Sequence, residues 1–243
     1  MINNQFLKVM IPKLNSAVLH ARSRLPYKSA NKFYPNKNNI GNLMYTNPHK
    51  YRLHSLGGDM MRQNNLRSLR ALHLSSSQTN RKLEQDYHDG IPHAGNCSEN
   101  ATLAFYYLSN HIHEYERKTG MPIVIMRVAI RPPVDHCLVL VGTQTRYGSE
   151  KLIENTLICD PWAKIVCPLD HYSLEWKMKM NKWSNRGLKG KCPNGIYDHF
   201  DDYYSREAIR VGKFVIFEKA SANGIHVSGG KTLYSLIDRN HIS

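Results

Sequence analysis

The feature that most constrains the fold is a helix-like pattern, beginning at 97, that gives way to a series of short apolar runs. Apolar residues recur at steps of three and four between Ala101 and Tyr115, which is typical of one buried helix face. Runs rich in β-branched residues follow at 123–130, 137–141, 155–159, 163–167 and 212–217. One helix followed by several such strands predicts an α+β fold, in which the helix packs on an antiparallel sheet.

The sequence also indicates where this helix begins and ends. Asn96 or Ser98 can cap its N-terminus, and the apolar periodicity runs to about Lys118. The polar stretch 143–151 is predicted to be a turn between two strands. The aromatic and charged stretch 170–205 has no clear period, so its structure is left open.

Cysteine content and hydropathy exclude several classes of protein. Five cysteines without a close CxxC pair do not match a disulfide scaffold, and Cys137, Cys159 and Cys167 lie in or beside apolar runs. We therefore expect reduced thiols and a reducing compartment. No run approaches the roughly 18 apolar residues of a membrane span, so no span is predicted. The His and Cys residues lack the spacing of zinc ligands, and we predict no metal and no other cofactor.

Three side chains with catalytic potential stand at the ends of predicted elements. Cys97 lies at the start of the helix, His136 at the head of one strand and Asp160 at the tail of the next. Adjacent antiparallel strands bring such a head and tail together, so His136 and Asp160 are predicted to lie at one end of the sheet. Thiol catalysis requires a nucleophilic sulfur, a proton carrier and a group that orients the carrier. The order of these residues predicts a Cys-His-Asp thiol enzyme.

The position of Cys97 predicts an activated thiol. A free cysteine has a pKa of about 8.5, and the unpaired N–H groups at a helix N-terminus favour the thiolate. A cationic His136 beside the sulfur would favour the thiolate further and could protonate a leaving amine. Asp160 would hold one ring nitrogen of the imidazole and fix its tautomer. We therefore expect the pKa of Cys97 to be lowered.

An acyl-transfer site also requires hydrogen-bond donors for the oxyanion. The backbone N–H of Cys97 is one candidate, and the side chains of Asn96, Gln85 and His93 are candidates for the second donor. Trp162 follows Asp160 closely and is a candidate for positioning the substrate.

These motifs resemble those of a known group of enzymes. Gly-Asn-Cys97, Asp-His136 and Asp160-Pro-Trp162 are similar to segments of the papain-like cysteine enzymes of bacterial effectors and toxins, which include YopT-type proteases and toxin glutamine deamidases. The resemblance covers about residues 85–170. It implies a papain-like fold with Cys97 as nucleophile, His136 as acid and base, and Asp160 as orienting acid. It also implies secretion from a bacterium into the host cell cytoplasm, where a host protein is the substrate.

Two positions depart from the pattern of papain-type proteases. Those proteases carry an oxyanion Gln six positions before the nucleophile, where this chain has Ile91, and Ser98 stands where papain has Trp. An acyl-thioenzyme can form from a peptide bond or from a glutamine side chain, and water or an amine can then accept the acyl group. Protease, glutamine deamidase and transglutaminase activities are therefore all open.

Basic charge is concentrated at the N-terminus. Residues 1–80 contain twelve Lys or Arg and one acid, whereas residues 81–243 are close to neutral. The Asn-rich stretch 28–58 is predicted to be loop, 62–74 a short helix, and 75–80 a linker. We therefore predict a basic, partly disordered region over 1–80 and a papain-like catalytic domain over 81–243.

The basic region indicates a role in secretion or targeting, or in binding a chaperone or another anionic partner. A different class of function is a non-catalytic binder of nucleic acid or anionic lipid, which a pI of about 9.6 would suit. A second basic run from Lys177 to Lys191, with Trp176 and Trp183, favours the same class. A third alternative is an adaptor protein that keeps a papain-like fold but has a catalytically inactive site.

Overall fold

Helices and antiparallel strands make up most of the part of the chain that the structure describes. A computed structural model describes residues 3–130, 136–147, 150–192, 195–196 and 214–232. The helices are Asn4–Arg24 (α1), Leu43–Thr46 (α2), Pro48–His54 (α3), Leu56–Arg70 (α4), Ser76–His88 (α5), Cys97–Ser109 (α6), Ile112–Thr119 (α7) and Tyr172–Ser184 (α8). The strands are Lys32–Phe33 (β1), Ile123–Ile130 (β2), His136–Tyr147 (β3), Glu150–Asp160 (β4), Ile165–Pro168 (β5), Lys189–Cys192 (β6), Gly195–Ile196 (β7), Phe214–Ser221 (β8) and Gly224–Thr232 (β9). The predicted α+β class is confirmed.

A six-stranded sheet forms the centre of the fold. Its strand order is β5-β4-β3-β2-β8-β9, with every neighbouring pair antiparallel, and β1, β6 and β7 form a separate small sheet. The stretch 143–151, predicted to be a turn, instead extends the pairing of β3 with β4 on both sides of 148–149, which lie outside the described residues. Backbone pairing supplies the hydrogen bonds there, so the polar side chains do not end the strands.

The central strands are buried on both faces, which explains why they read as continuous apolar runs. In β2, Ile123 and Ile125 face a core that contains α1, α6 and α7. Val124 and Met126 face a second core, which contains α8. Alternate residues of a strand point to opposite faces, so each central strand contributes side chains to both cores in turn.

The predicted helix from 97 to about 118 is two helices. α6 ends at Ser109 and α7 begins at Ile112. Between them the N–H of His111 donates to the carbonyl of Leu108 (3.1 Å), and the hydroxyl of Ser109 donates to the carbonyl of Phe105 (2.7 Å). The bond from His111 to Leu108 is of the 3₁₀ type, in which an N–H donates to the carbonyl three residues earlier. Such a bond tightens the last turn and ends an α-helix. The stretch 170–205 holds α8, β6 and β7, and its residues 193–194 and 197–205 lie outside the described part.

The N-terminal region differs from the prediction of partial disorder. α1 places Phe6, Met10, Leu14 and Ala21 in the first core without solvent exposure. The stretch 28–58 contains β1, α2 and α3, and α4 begins before the helix predicted at 62–74. The apolar residues of α1 recur at three- and four-residue steps, so the helix signal was present but hidden by the basic composition.

The segment predicted to be a linker, 75–80, begins a helix instead. The Ser75 hydroxyl caps α5, and the Gln78 side chain accepts the Ser75 N–H at 2.9 Å. This reciprocal pair is a capping box, which starts helices. The boundary predicted near residue 80 therefore falls inside α5.

Some basic residues of the first third pair with acids of the rest of the chain. Lys13 contacts Glu114 at 3.0 Å and Arg24 contacts Glu84 at 3.1 Å. α1 also packs on α6 and α7. These ion pairs thus neutralise part of the excess positive charge of the N-terminal region. In the part of the chain that the structure describes, no helix has both the length and the apolar character needed to cross a membrane.

Candidate active site

The first residue of α6 is Cys97, and an ionic clamp holds this end of the helix. The carboxylate of Glu99 accepts the N–H of Asn96 at 2.8 Å. Arg70 from α4 binds the same carboxylate through two nitrogens, at 2.9 and 3.1 Å. Glu99 is buried, and a carboxylate in the first turn also interacts favourably with the helix dipole. The clamp therefore fixes the backbone that carries the Cys97 sulfur.

Gly95 is required for packing just before this helix. A Cβ atom at Gly95 would lie 2.7 Å from a methyl of Leu25 and 2.9 Å from Cβ of Glu99. Its N–H donates to the carbonyl of Lys28 at 3.1 Å. The N-terminal segment thus lies directly against the loop that leads into Cys97.

His136 and Asp160 meet at one end of the sheet. His136 lies two residues before Leu138, and Asp160 lies two residues after Ile158, so both share the face that carries α8. Nε2 of His136 lies 2.8 Å from Oδ2 of Asp160. The prediction that adjacent strand ends would bring these two residues together is met by this contact.

The Asp160 carboxylate has three hydrogen-bond donors. Besides His136, the Tyr172 hydroxyl donates to Oδ2 at 2.9 Å, and the Ala163 N–H donates to Oδ1 at 2.9 Å. Asp160 is fully buried. Burial alone would raise the pKa of this carboxyl, but the His136 charge and the three donors outweigh it, so the pKa of Asp160 is lowered. Asp160 is therefore held as a carboxylate.

The same pairing holds a proton on His136. Burial opposes the imidazolium, but the charge of Asp160 and its hydrogen bond raise the pKa of His136 above its ordinary value. Nε2 is occupied by Asp160, which leaves Nδ1 as the ring nitrogen for the Cys97 thiol. A hydrogen bond joins His136 and Cys97. The three residues predicted to form a triad are thus in one continuous network.

The Cys97 thiol has a second neighbour, Cys137, and its pKa departs from the expected direction. A hydrogen bond with Cys137, together with burial, raises the pKa of Cys97 well above its ordinary value, and His136 opposes this only in part. The expectation of a lowered pKa is therefore wrong, because it considered the helix terminus and the imidazole but not the adjacent thiol. The resting sulfur is a neutral thiol.

Tryptophan rings enclose the imidazole. The ring of Trp162 lies 5.2 Å from that of His136, and the ring of Trp176 lies 4.9 Å from it. Trp176 also stacks on Trp162, with an interplanar angle of 20°. Rings on these sides restrict rotation of the imidazole and exclude water from it. Trp176 belongs to α8, in the stretch whose structure the sequence left open.

The oxyanion candidates divide into two groups. Oδ1 of Asn96 accepts the N–H of Asn31 at 3.0 Å, which fixes the orientation of this carboxamide. Gln85 is exposed and donates to Asp89 at 3.1 Å. His93 binds Asp86 through Nε2 at 2.6 Å. Gln85 and His93 are therefore engaged by acidic residues outside the network, whereas Asn96 is the residue directly before Cys97.

Lys32 is the site residue that the sequence analysis missed. Its ammonium donates to the carbonyl of Trp162 and lies 4.0 Å from the centre of that ring and 4.2 Å from the ring of Trp183. Burial, followed by the nearby Arg22, lowers the pKa of Lys32 well below its ordinary value. Lys32 lay in a stretch predicted to be loop, and no local pattern distinguishes it.

Comparison with family models, with curated proteins and with solved structures finds no match to this chain. Among the described residues, no three His, Cys, Asp or Glu side chains are grouped so that they could hold a metal ion.

Proposed function

We propose that this chain is a cysteine-nucleophile hydrolase of amide bonds. The observation that carries the proposal is the network in which one imidazole joins the Cys97 thiol to the Asp160 carboxylate, with Nε2 and Oδ2 separated by 2.8 Å. The imidazole thus lies between the nucleophile and the orienting acid, which is the arrangement that thiol catalysis requires. His136 and Asp160 are buried and Cys97 is half-buried, which would favour these roles over an incidental surface cluster.

The first half-reaction starts from the neutral thiol and the imidazolium. The Cys97 thiol gives its proton to solvent, which leaves the thiolate beside protonated His136. The sulfur attacks the substrate carbonyl, a C–S bond forms, and the carbonyl oxygen becomes an oxyanion near the N–H groups at the start of α6. Nδ1 of His136 then gives its proton to the leaving nitrogen. The C–N bond breaks, and an acyl-thioenzyme and a free amine remain.

Water completes the cycle. Neutral His136 takes a proton from water as the oxygen attacks the thioester, and the C–S bond breaks to release a carboxylate product. Throughout both steps Asp160 accepts the Nε2 hydrogen and stabilises the imidazolium. Trp162 and Trp176 keep the ring in one orientation.

The resemblance in the sequence motifs supports a papain-like fold and a protein substrate, which we propose to be a host protein modified by a secreted bacterial effector. The reaction is then cleavage of a peptide bond or deamidation of a glutamine. The departures at Ile91 and Ser98 favour glutamine over the peptide bond. Transfer to a lysine amine in place of water would give cross-linking by the same acyl-thioenzyme.

The test is incubation of the purified protein with a host-cell lysate, followed by quantitative mass spectrometry of its proteins. The proposal predicts glutamine converted to glutamate, new chain ends or new cross-links with wild type, and none with Cys97→Ala. His136→Ala should abolish the modification too, and Asp160→Ala should reduce it less. Each variant is checked for folding by circular dichroism.

A matched control separates this chemistry from the presence of thiols in general. Cys167→Ala removes a cysteine that is buried in the second core and is not one of the three residues of the network. It should retain full activity. Turnover that persists in Cys97→Ala would refute the proposal.

A further inference from the structure

A basic cavity adjoins the candidate active site. Its volume is about 430 Å³, and it is walled by the end of α1, the segment around Lys32, α3, the turn after β4, and α8. Its Lys and Arg residues are Arg22, Lys28, Lys32, Lys50, Lys164, Lys179, Lys182 and Arg186. None of the described residues that line it is acidic. Several separate segments thus bring their positive charges to one concavity.

In the described ranges, some of these basic residues lack the carboxylate partner that other basic residues of the chain have. Lys13, Arg24 and Arg70 each contact a carboxylate. Within the described part of the chain, Arg22 and Lys28 form no salt bridge. Arg22 instead lies 3.5 Å from the carbonyl of Pro161. The cavity therefore holds positive charge that the described part of the fold does not neutralise.

Mutual repulsion among these groups lowers the pKa of several of them. Arg22, more than burial, lowers the pKa of Lys164. Burial, followed by Arg22, lowers the pKa of Lys28, and burial, followed by Lys182, lowers that of Lys179. Holding like charges together has a free-energy cost, and an anion bound among them would relieve it.

We propose that this cavity is a binding site for a phosphorylated small molecule. The volume lies within the range of small-molecule sites. Arg and Lys are the side chains that bind phosphate oxygens most strongly, Arg through two parallel hydrogen bonds and Lys as a point charge. A groove for nucleic acid would track its basic residues along a strand, whereas here they converge on one concavity.

The cavity shares residues with the candidate active site. Trp162 lines the cavity and packs its ring on His136. Ala163 also lines it, and its N–H donates to Asp160. A ligand that contacts Lys32 or Trp162 would therefore be placed to alter the orientation of the imidazole. The binding site itself stands on its own geometry and does not depend on the proposed hydrolase activity.

The experiment is calorimetric titration of the full chain with tripolyphosphate. Wild type should bind one ligand per chain, with an affinity that falls as salt is raised. Lys179→Gln and Lys164→Gln should each weaken binding about tenfold or more, since each removes a charge-assisted hydrogen bond. The matched control is Lys177→Gln, which removes the same charge from an exposed position of α8 that does not line the cavity. It should change the affinity less than about twofold.

Several results would overturn the site. Lack of saturable binding would do so, and so would equal weakening by Lys177→Gln and Lys179→Gln, which would indicate attraction to net charge alone. Binding of a single-stranded oligonucleotide that tripolyphosphate does not displace would assign the surface to nucleic acid instead. Cys97→Ala should bind tripolyphosphate as wild type does, so a failed hydrolase assay and a failed binding assay are distinguishable.

Discussion

Replacement of Asp160 by Asn tests how much the carboxylate contributes to the free energy of unfolding. Oδ2 accepts from His136 and Tyr172, and Oδ1 accepts from Ala163. An amide of the same shape has one acceptor oxygen, so in either orientation its NH₂ group faces a donor. At a fully buried position the variant loses at least one hydrogen bond and the charge that holds the imidazolium. Each such loss costs about 1–3 kcal/mol, so Asp160→Asn should lower the free energy of unfolding by about 3 kcal/mol.

The assay is urea-induced unfolding of wild type and Asp160→Asn at pH 6, followed by circular dichroism. Tyr172→Phe is the matched comparison, because it removes one donor and leaves the carboxylate. It should cost about 1 kcal/mol, since one hydrogen bond is lost without an unpaired charge. A cost for Asp160→Asn no greater than that for Tyr172→Phe would refute the reasoning that the carboxylate organises this end of the sheet.

Three further predictions concern the same network. Cys137→Ala should make alkylation of Cys97 about two- to threefold faster at pH 7, because losing a contact of about 1 kcal/mol increases the thiolate about fivefold, while the weaker basicity of the sulfur offsets part of this gain. The folded pKa of His136 is raised, so its contribution to stability is complete below the unfolded pKa of about 6.5 and is lost as pH rises through the folded value. The difference in unfolding free energy between wild type and Asp160→Asn should therefore shrink from pH 6 towards alkaline pH in urea titrations. Arg70→Ala should cost about 1 kcal/mol by the same method, since its guanidinium is half exposed, and should slow the alkylation of Cys97.

Each of these predictions has a result that contradicts it. An unchanged alkylation rate in Cys137→Ala, with Cys167→Ala as the reference, would mean that the neighbouring thiol does not control the sulfur. A pH-independent difference between wild type and Asp160→Asn would exclude an ion pair with His136. Unaltered Cys97 reactivity in Arg70→Ala would show that the clamp on the start of α6 does not position the nucleophile.

The central strands could be predicted because the sheet is buried on both faces. A strand that faces two cores reads as an uninterrupted apolar run, as in Ile123–Ile130. The order helix, strand, strand then placed the ends of β3 and β4 together, and with them His136 and Asp160. Local pattern and simple topology were sufficient for this part.

The helix at the N-terminus is hard to predict because the basic, Asn-rich composition of this region obscures its apolar periodicity. The Lys and Arg residues of α1 obscure the regular recurrence of Phe6, Met10 and Leu14, which fill the first core. The capping box at Ser75 was likewise a local signal, but a run of serines concealed it. Both elements could have been found from their residues.

Other features depend on contacts that sequence reasoning does not reach. Lys32 and Trp183 lie far apart along the chain and meet only when the N-terminal segment packs on α8. The contact with Cys137 raises the pKa of Cys97, whereas the helix terminus and His136 alone predict a lowered pKa. Both cysteines lie in motifs that the sequence analysis identifies. Such juxtapositions arise from long-range packing and leave no spacing to detect.

The most direct test of the central claim is the pH dependence of Cys97 alkylation in folded wild type and in His136→Ala, read by peptide mass spectrometry. The account predicts that the rise in rate shifts to higher pH in His136→Ala, because the imidazolium is a neighbour that favours the thiolate. Cys159, which is buried in the first core, provides an internal reference that should react slowly in both proteins. Coincident profiles for Cys97 in the two proteins would contradict the claim that its thiol and the imidazole share a proton.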